Sequence, residues 1–384
     1  MDILPLHTLG EYPVARFMRD AWQRRPLLIR NALPDFAPPV DRTRLLEFAL
    51  TPEAEARLIE RAGTTWKVSH GPFRRLPSRR RPSWTVLVQG VDLLDDGAHA
   101  LLQRFRFVPD ARLDDLMVSY ATDGGGVGPH VDSYDVFLLQ AYGRRRWRIS
   151  RQRDLGLVSG APLRILANFR PSADYILEPG DLLYLPPGVA HEGTAAGECL
   201  TYSIGFRAPT YQELLEPMLV DFAAHANLRG RFADRGLTPS RHPAALPAAM
   251  LHTLHAKLTA PRPRQGDTAR FLLAYLSEPK AQVVFERPAR PLGEASFRVA
   301  ARRRGVALDR RTRLLYHRGA VGINGEHEVL ERSARSLLQL LADARRLAPA
   351  SLQPALAATI APLHRWYLAG WLHLSEGVSI HEAI

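Results

Sequence analysis

Hydrophobic positions change their spacing twice along the chain, and each change predicts a different kind of structure. From residue 14 to about 107, helical patches alternate with turns, and 21–30 reads as a helix end running into a short strand. From about 115 to 206, apolar residues gather into short β-rich runs punctuated by Gly and Pro, over 116–121, 136–141, 145–149, 181–185 and 200–206. Several short strands bounded by turn residues predict a barrel or sandwich.

After Pro209 the strand signal fades. Leu214, Leu215, Met218, Leu219 and Phe222 recur at helical spacing, as do Met250, Leu251, Leu254 and Leu258, predicting two amphipathic helices with Pro217 as a kink point in the first. The polar, proline-bearing stretch 229–247 between them predicts a loop. Their apolar stripes pack either on the chain's own barrel or on a second copy. From about 281 the pattern changes again. Runs over 314–321 and 328–330 flank Gly322-Ile323-Asn324-Gly325, where Asn-Gly predicts a tight hairpin turn. Helical patterns over 332–347 and 352–374 follow, so the last third predicts a small helix-plus-hairpin domain of winged-helix type, an architecture that does not by itself fix a function.

At 384 residues the chain exceeds what one hydrophobic core usually supports, so two or three domains are expected. A composition of 46% hydrophobic and 23% charged residues is that of a globular protein. No apolar run is long enough to span a bilayer, and Met1-Asp2-Ile3-Leu4-Pro5 carries an acid where a leader would carry positive charge, so the expected location is the cytoplasm. A lone Cys199 excludes an intrachain disulfide, and its apolar neighbours predict a buried, inert thiol. The net charge of +12 is almost all arginine, the lysines being Lys67, Lys257 and Lys280. The skew reflects either genome composition or a surface that faces a polyanion. The densest runs, Arg79-Arg80-Arg81 and Arg302-Arg303-Arg304, lack the interleaved aromatics of a base-stacking platform.

The chemistry lies in the middle region. In Gly128-Pro129-His130-Val131-Asp132, a strand would project His130 and Asp132 from one face. His191 follows the Pro186-Pro187-Gly188 turn, which can aim it across a barrel at the same ion. Two imidazoles and one carboxylate form a facial ligand set with open positions, as a non-haem Fe(II) site requires; zinc, nickel or manganese accept similar ligands, so spacing does not fix the metal. In Gly143-Arg144-Arg145-Arg146-Trp147-Arg148-Ile149, alternation puts Arg145 with Trp147 and Ile149, pointing inward. A guanidinium there needs an anion. That anion is either a dicarboxylic co-substrate or an internal Asp or Glu. Parity also nominates the Ser119, Thr201 and Ser203 hydroxyls as its helpers.

These motifs, with Gly125 to Phe137, Glu178 to Gly193 and Tyr202-Ser203-Ile204-Gly205-Phe206-Arg207-Ala208-Pro209, resemble the bacterial JmjC-type ribosomal oxygenases over about 21–209. The likeness is greatest to the branch that hydroxylates an arginine of a large-subunit ribosomal protein. The resemblance implies an α+β chain: a double-stranded β-helix (JmjC/cupin jelly roll) with N-terminal helices over 1–207, a helical dimerisation segment over 208–280, and a winged-helix-like domain over 281–384. It also implies Fe(II) held by His130, Asp132 and His191, with 2-oxoglutarate and dioxygen as co-substrates and Arg145 and Ser119 as 2-oxoglutarate contacts. A guanidinium substrate calls for a carboxylate and a flat or hydroxyl-bearing partner, for which Asp123 and Tyr142 are the candidates. Their structural alternatives are a turn cap and rim packing. Three functions stand open from sequence: arginine hydroxylation, histidine hydroxylation or methyl-lysine demethylation at the same kind of centre, and a non-catalytic cupin that grips RNA or protein.

Overall fold

The computed structural model describes residues 4–233, 235, 242–352 and 356–375. Outside the described residues lie 1–3 of the N-terminal stretch, 234 and 236–241 of the expected loop, 353–355 of the last expected helix, and 376–384. The described chain gathers into two compact units. Among the described residues no helix is long and apolar enough to cross a membrane.

The first unit takes in the described part of 1–208 with Lys280–Glu286 and Leu308–Arg311. Its elements in order are β1 (Thr8–Leu9), β2 (Tyr12–Pro13), α1 (Val14–Asp20), β3 (Leu27–Ile29), α2 (Arg42–Phe48), β4 (Glu55–Ala62), β5 (Thr65–His70), β6 (Trp84–Gln89), α3 (Asp96–Gln103), β7 (Leu113–Ala121), β8 (His130–Val131), β9 (Asp135–Ser150), β10 (Ala173–Leu177), β11 (Leu182–Leu185) and β12 (Ala190–Phe206). Strands β3 to β12 form one ten-stranded sheet, ordered β3-β11-β9-β12-β7-β6-β4-β5, with β10 also on β9 and β8 also on β12. The long antiparallel pair β9 and β12 is its spine.

Side-chain parity explains how that spine feeds two cores. Val136 and Leu138 of β9 turn inward to join Trp147, Ile149, Leu177, Leu183 and Leu185. Phe137 and Leu139 turn the other way, onto the helices, to join Phe17, Phe105, Tyr184 and Phe206. The inward positions are even before Gly143 and odd after it, so the strand changes parity there. Gly143 takes a left-handed φ of +62°, and a Cβ on it would lie 2.1 Å from the Glu198 carbonyl oxygen. The facing strand slips register at the same place, between Ala196 and Leu200. What sequence spacing divides into strands 136–141 and 145–149 is thus one bent strand.

The N-terminal region also departs from the expected alternation of helices and turns, because β4, β5 and β6 extend the sheet across residues 55–89. Trp84-Thr85-Val86-Leu87-Val88 is buried on both faces, and a strand of that kind shows no period of two.

The second unit holds the described parts of 209–279, 287–307 and 312–384. It contains α4 (Tyr211–His225), α5 (Ala248–Thr259), α6 (Gln265–Ser277), α7 (Glu294–Arg304), β13 (Val306–Leu308, its last residue in the first unit), β14 (Leu314–His317), β15 (Ala320–Ile323), β16 (Glu326–Val329), α8 (Arg335–Ala344), β17 (Arg346–Leu347), α9 (Pro349–Leu352), α10 (Leu356–Leu368) and β18 (Leu372–Leu374). Helix α4 opens on a capping box, with Thr210 accepting from the Glu213 amide, and runs through Pro217. Neither α4 nor α5 buries a residue fully, and Leu215, Leu219, Leu251 and Leu258 stay exposed. Helix α6, which the sequence pattern did not single out, buries Phe271 and Leu273, and its Ser277 hydroxyl accepts from the Gly325 amide of the hairpin.

Asn324-Gly325 forms the expected two-residue turn, with φ of +47° and +90°. The run 314–321 is not one strand, because Arg318 at φ +50° and Gly319 make a second turn inside it, giving a three-stranded sheet. The helix expected over 352–374 ends at Leu368, since Gly370 turns the chain into β18, which pairs in the β17-β13-β18 sheet.

Candidate metal centre

His130 on β8 and His191 at the start of β12 are direct cross-strand partners, so their rings lie side by side, 4.2 Å between centroids. Asp132, just past β8, completes the cluster: its Oδ1 is 3.8 Å from His130 Nε2 and its Oδ2 is 3.6 Å from His191 Nε2. One ligand atom from each of the three lies within 4.8 Å of the others.

Both rings are oriented from behind. His130 Nδ1 lies 2.9 Å from the Gly128 carbonyl and His191 Nδ1 lies 2.9 Å from the Val189 carbonyl. A carbonyl can only accept, so each Nδ1 carries the proton and each Nε2 presents its lone pair to the centre. Burial pushes the His191 imidazole down to about 3; the neighbouring His130 ring adds to this, and the Val189 carbonyl opposes it. Burial also raises the Asp132 carboxyl, against the pull of His130. Two imidazoles held through Nδ1 and one carboxylate that gains from a nearby positive charge are a donor set suited to a divalent ion.

The His191 shift has a consequence for the metal-free protein. Its folded value lies below the unfolded value of about 6.5, so the unfolded chain takes up the proton first. Stability from this group is fully present above about pH 6.5 and is lost as pH falls toward 3. Denaturation of the metal-free protein is expected to show this loss, with a slope of up to about 1.4 kcal/mol per pH unit. His191→Gln should flatten it. Equal slopes in the two proteins would contradict the burial of a neutral ring.

Arg145 lies further along the same barrel interior, 3% exposed. Its neighbours Arg146 and Arg148, on the outer face, are paired with Asp174 and Glu192. Arg145 itself has no carboxylate within ion-pair distance among the described residues. Its Nη1 donates weakly to the Ser119 hydroxyl at 3.3 Å and the Thr201 hydroxyl at 3.4 Å, its Nη2 to the Gly193 carbonyl at 3.3 Å, and its Nε has no partner. Burial works against its charge. The space beside it is kept by Gly193, where a Cβ would fall 2.7 Å from the Trp147 ring and 2.8 Å from Arg145 Nε. Trp147 spans the gap between the two parts of the site, its ring 5.2 Å from the guanidinium and 5.9 Å from the His191 ring. Of the helper hydroxyls, Ser119 and Thr201 reach Arg145, while Ser203 makes no side-chain hydrogen bond among the described residues.

Asp123 and Tyr142 lie elsewhere on the rim. Asp123 Oδ1 accepts from the Gly197 amide at 2.8 Å, and Tyr142, 50% exposed, precedes the Gly143 that packs on the Glu198 carbonyl. Both therefore border one turn of β12, at 197–198, and neither hydrogen-bonds to the triad or to Arg145. Sequence parity missed Gln140, fully buried and bonded to Thr201. Cys199 is buried as expected, and burial raises its thiol, although Arg145 and Gln140 lower it.

Residues 100–214 match the JmjC domain and residues 264–373 the ROXA-like winged helix. A protein of Escherichia coli (strain K12) named ribosomal protein uL16 3-hydroxylase is 39% identical over 237 residues, which are 61% of this chain and 63% of that protein. A probable ribosomal oxygenase of Haemophilus influenzae is 37% identical over 222 residues, 56% of this chain and 53% of its own. These matches span less than two thirds of the curated relatives' length. Solved structures align more fully. That of E. coli YcfD is 30% identical with a TM-score of 0.85, covering 94% of this chain and 98% of the other. A YcfD structure described as a ribosomal oxygenase in complex with cobalt and 2-oxoglutarate is 30% identical with a TM-score of 0.81, covering 94% and 97%.

Proposed function

The chain belongs to the JmjC-domain ribosomal oxygenases, and from that premise we propose that it is an Fe(II)- and 2-oxoglutarate-dependent hydroxylase of an arginine side chain in a large-subunit ribosomal protein. The observation that carries this reading is Arg145, a buried guanidinium with no carboxylate within ion-pair distance among the described residues, in the barrel that also holds His130, Asp132 and His191. A structural ion pair would have filled that position from within the chain.

His130, Asp132 and His191 would hold the metal. With Fe(II) bound, the centre couples oxidative decarboxylation of 2-oxoglutarate by dioxygen to insertion of one oxygen atom into a substrate C–H bond. The chain supplies orientation. Arg145 takes the distal carboxylate of the co-substrate, using its unpartnered Nε–H, and Ser119 and Thr201 steady its Nη1. Trp147 and Ile149 close the interior to water.

On the rim, Asp123 and Tyr142 would receive the substrate guanidinium. Asp123 spends Oδ1 on the Gly197 amide, while Oδ2 takes no hydrogen bond among the described residues. Asp123→Ala and Tyr142→Phe are each expected to raise KM for an arginine peptide by about tenfold or more, the worth of one hydrogen bond to a charged group. Unchanged steady-state kinetics in both variants would remove them from the substrate site.

The exposed apolar positions on α4 and α5 support homodimerisation through the helical segment 208–280, and the net charge of +12 supports attraction to RNA surfaces near a ribosomal target in the cytoplasm. The decisive experiment is incubation of purified large-subunit proteins with the enzyme, Fe(II), 2-oxoglutarate and dioxygen, followed by mass spectrometry. Gain of one oxygen on an arginine is the expected result. Oxygen on a histidine, or loss of a methyl group from lysine, would assign the chain to another reaction of the same centre, and no change in any protein would reject the hydroxylase.

A further inference from the structure

Gln140 reaches into the same interior from β9, on the opposite side of the Gly143 bend from Arg145. Its Nε2 donates to the Tyr142 carbonyl at 2.9 Å and to the Gly143 carbonyl at 3.3 Å. Carbonyls only accept, so the amide cannot be turned round without losing both bonds. Its Oε1 must then face Thr201, whose hydroxyl donates to it at 3.0 Å. A hydroxyl has one proton. With that proton given to Gln140, Thr201 meets Arg145 Nη1 only as an acceptor.

We propose that Gln140 is a positioning residue for the co-substrate: it fixes Thr201 as an acceptor, which turns Nη1 of Arg145 toward the barrel wall and leaves the Nε edge open for a distal carboxylate. The inference rests on the reading of Arg145 given above, and it adds a residue that acts through Thr201. It also joins the two binding regions, because the carbonyls that hold Gln140 belong to Tyr142 and to the bend that follows it. Ser119 supports the same arrangement, its hydroxyl donating to the Thr201 carbonyl at 3.4 Å while accepting from Nη1. A leucine at 140 would fill similar volume and free the Thr201 proton to turn toward Arg145, setting donor against donor.

The test compares two ligands by calorimetry on the cobalt(II)-loaded protein, 2-oxoglutarate and 2-oxopentanoate, which carries a methyl group in place of the distal carboxylate. Wild type is expected to prefer 2-oxoglutarate by about a hundredfold. Gln140→Leu and Thr201→Val should each cut that preference by about tenfold while leaving 2-oxopentanoate affinity unchanged, and Thr201→Ser should restore it. Equal weakening of both ligands, or a full preference retained in Gln140→Leu and Thr201→Val, would overturn the role of Gln140 alone. Should Gln140→Leu not fold, the Thr201 pair decides. Absence of the preference in wild type would instead overturn the reading of Arg145, and the role of Gln140 with it.

Discussion

Arg145→Met should weaken 2-oxoglutarate binding about a hundredfold or more and at the same time leave the ligand-free protein as stable as wild type, or more stable. The two effects have one cause. A charged hydrogen bond contributes about 1.5–3 kcal/mol, and a guanidinium that grips a carboxylate through two N–H groups loses both when truncated, which at about 1.4 kcal/mol per tenfold gives a hundredfold or greater loss. In the ligand-free state Arg145 meets only neutral acceptors at 3.3–3.4 Å, and its Nε is unsatisfied. A buried cation of that kind is a cost to folding, and an apolar side chain of similar length removes the cost. Arg145→Lys should recover little of the affinity, since an ammonium keeps the charge and loses the fork. Calorimetry with 2-oxoglutarate and thermal unfolding without it measure the two halves separately. A variant that bound normally would exclude Arg145 from the co-substrate site. One that unfolded far below wild type would show that the arginine is a structural member of the barrel.

The expected pairing of lost binding with kept stability would separate Arg145 from the other buried polar groups of the first unit. Asp135 is fully buried, but it accepts from Tyr184, Gln23 and Arg112 at 2.6, 2.9 and 3.0 Å, so its partners are all internal. Asp115 is likewise held by Gln89, the Gly90 amide and Lys280. Removing either carboxylate would orphan several donors. Arg145 differs from both in having no carboxylate partner among the described residues and an Nε without a hydrogen bond.

How much of this was legible in sequence follows from where strand periodicity holds. On β12 and β7 the alternation is clean, Leu200, Tyr202 and Ile204 facing one core and Thr201 the other, with Val118 and Tyr120 opposed to Ser119. Thr201 and Ser119 could therefore be nominated by counting in twos. Gln140 could not. Counting back from Arg145 places it on the outer face with Arg144 and Arg146, and only the bend at Gly143 returns it to the interior. Glycine is required at the bend by the Glu198 carbonyl, which approaches from a strand more than fifty residues away, so the break in the run at Gly143 is visible in sequence while the change of parity across it is not. The same limit applies to β6, buried on both faces, and to the turn at Arg318-Gly319, where a non-glycine residue takes positive φ. The triad proposed to hold the metal stood out because glycine and proline turns mark its residues; the distances between them depend on the pairing of His130 with His191, which only the folded sheet provides.

Loss of any one metal ligand is expected to abolish turnover, by about a thousandfold or more, since even partners that merely orient ligands cost 10–100-fold when changed. Asp132→Asn is the most informative change. It keeps the shape of the side chain and removes the single negative charge of the donor set, so two imidazoles would be left to hold a divalent ion without compensation. The backbone tie from the Gly188 amide to the Asp132 carbonyl, at 2.8 Å, does not involve the side chain, so the loop that carries the ligand should stay in place. Cobalt(II) titration followed by visible absorption should show weakened binding in Asp132→Asn and in His130→Ala, while circular dichroism stays that of wild type. Succinate formation should vanish with it. Succinate produced at the wild-type rate by His130→Ala would mean that the reaction does not run at this triad, and cobalt bound as tightly by Asp132→Asn would mean that the carboxylate is not a ligand. Because the His191 ring is driven to its neutral form by burial rather than by the metal, its nitrogen donor should be ready at neutral pH in both variants.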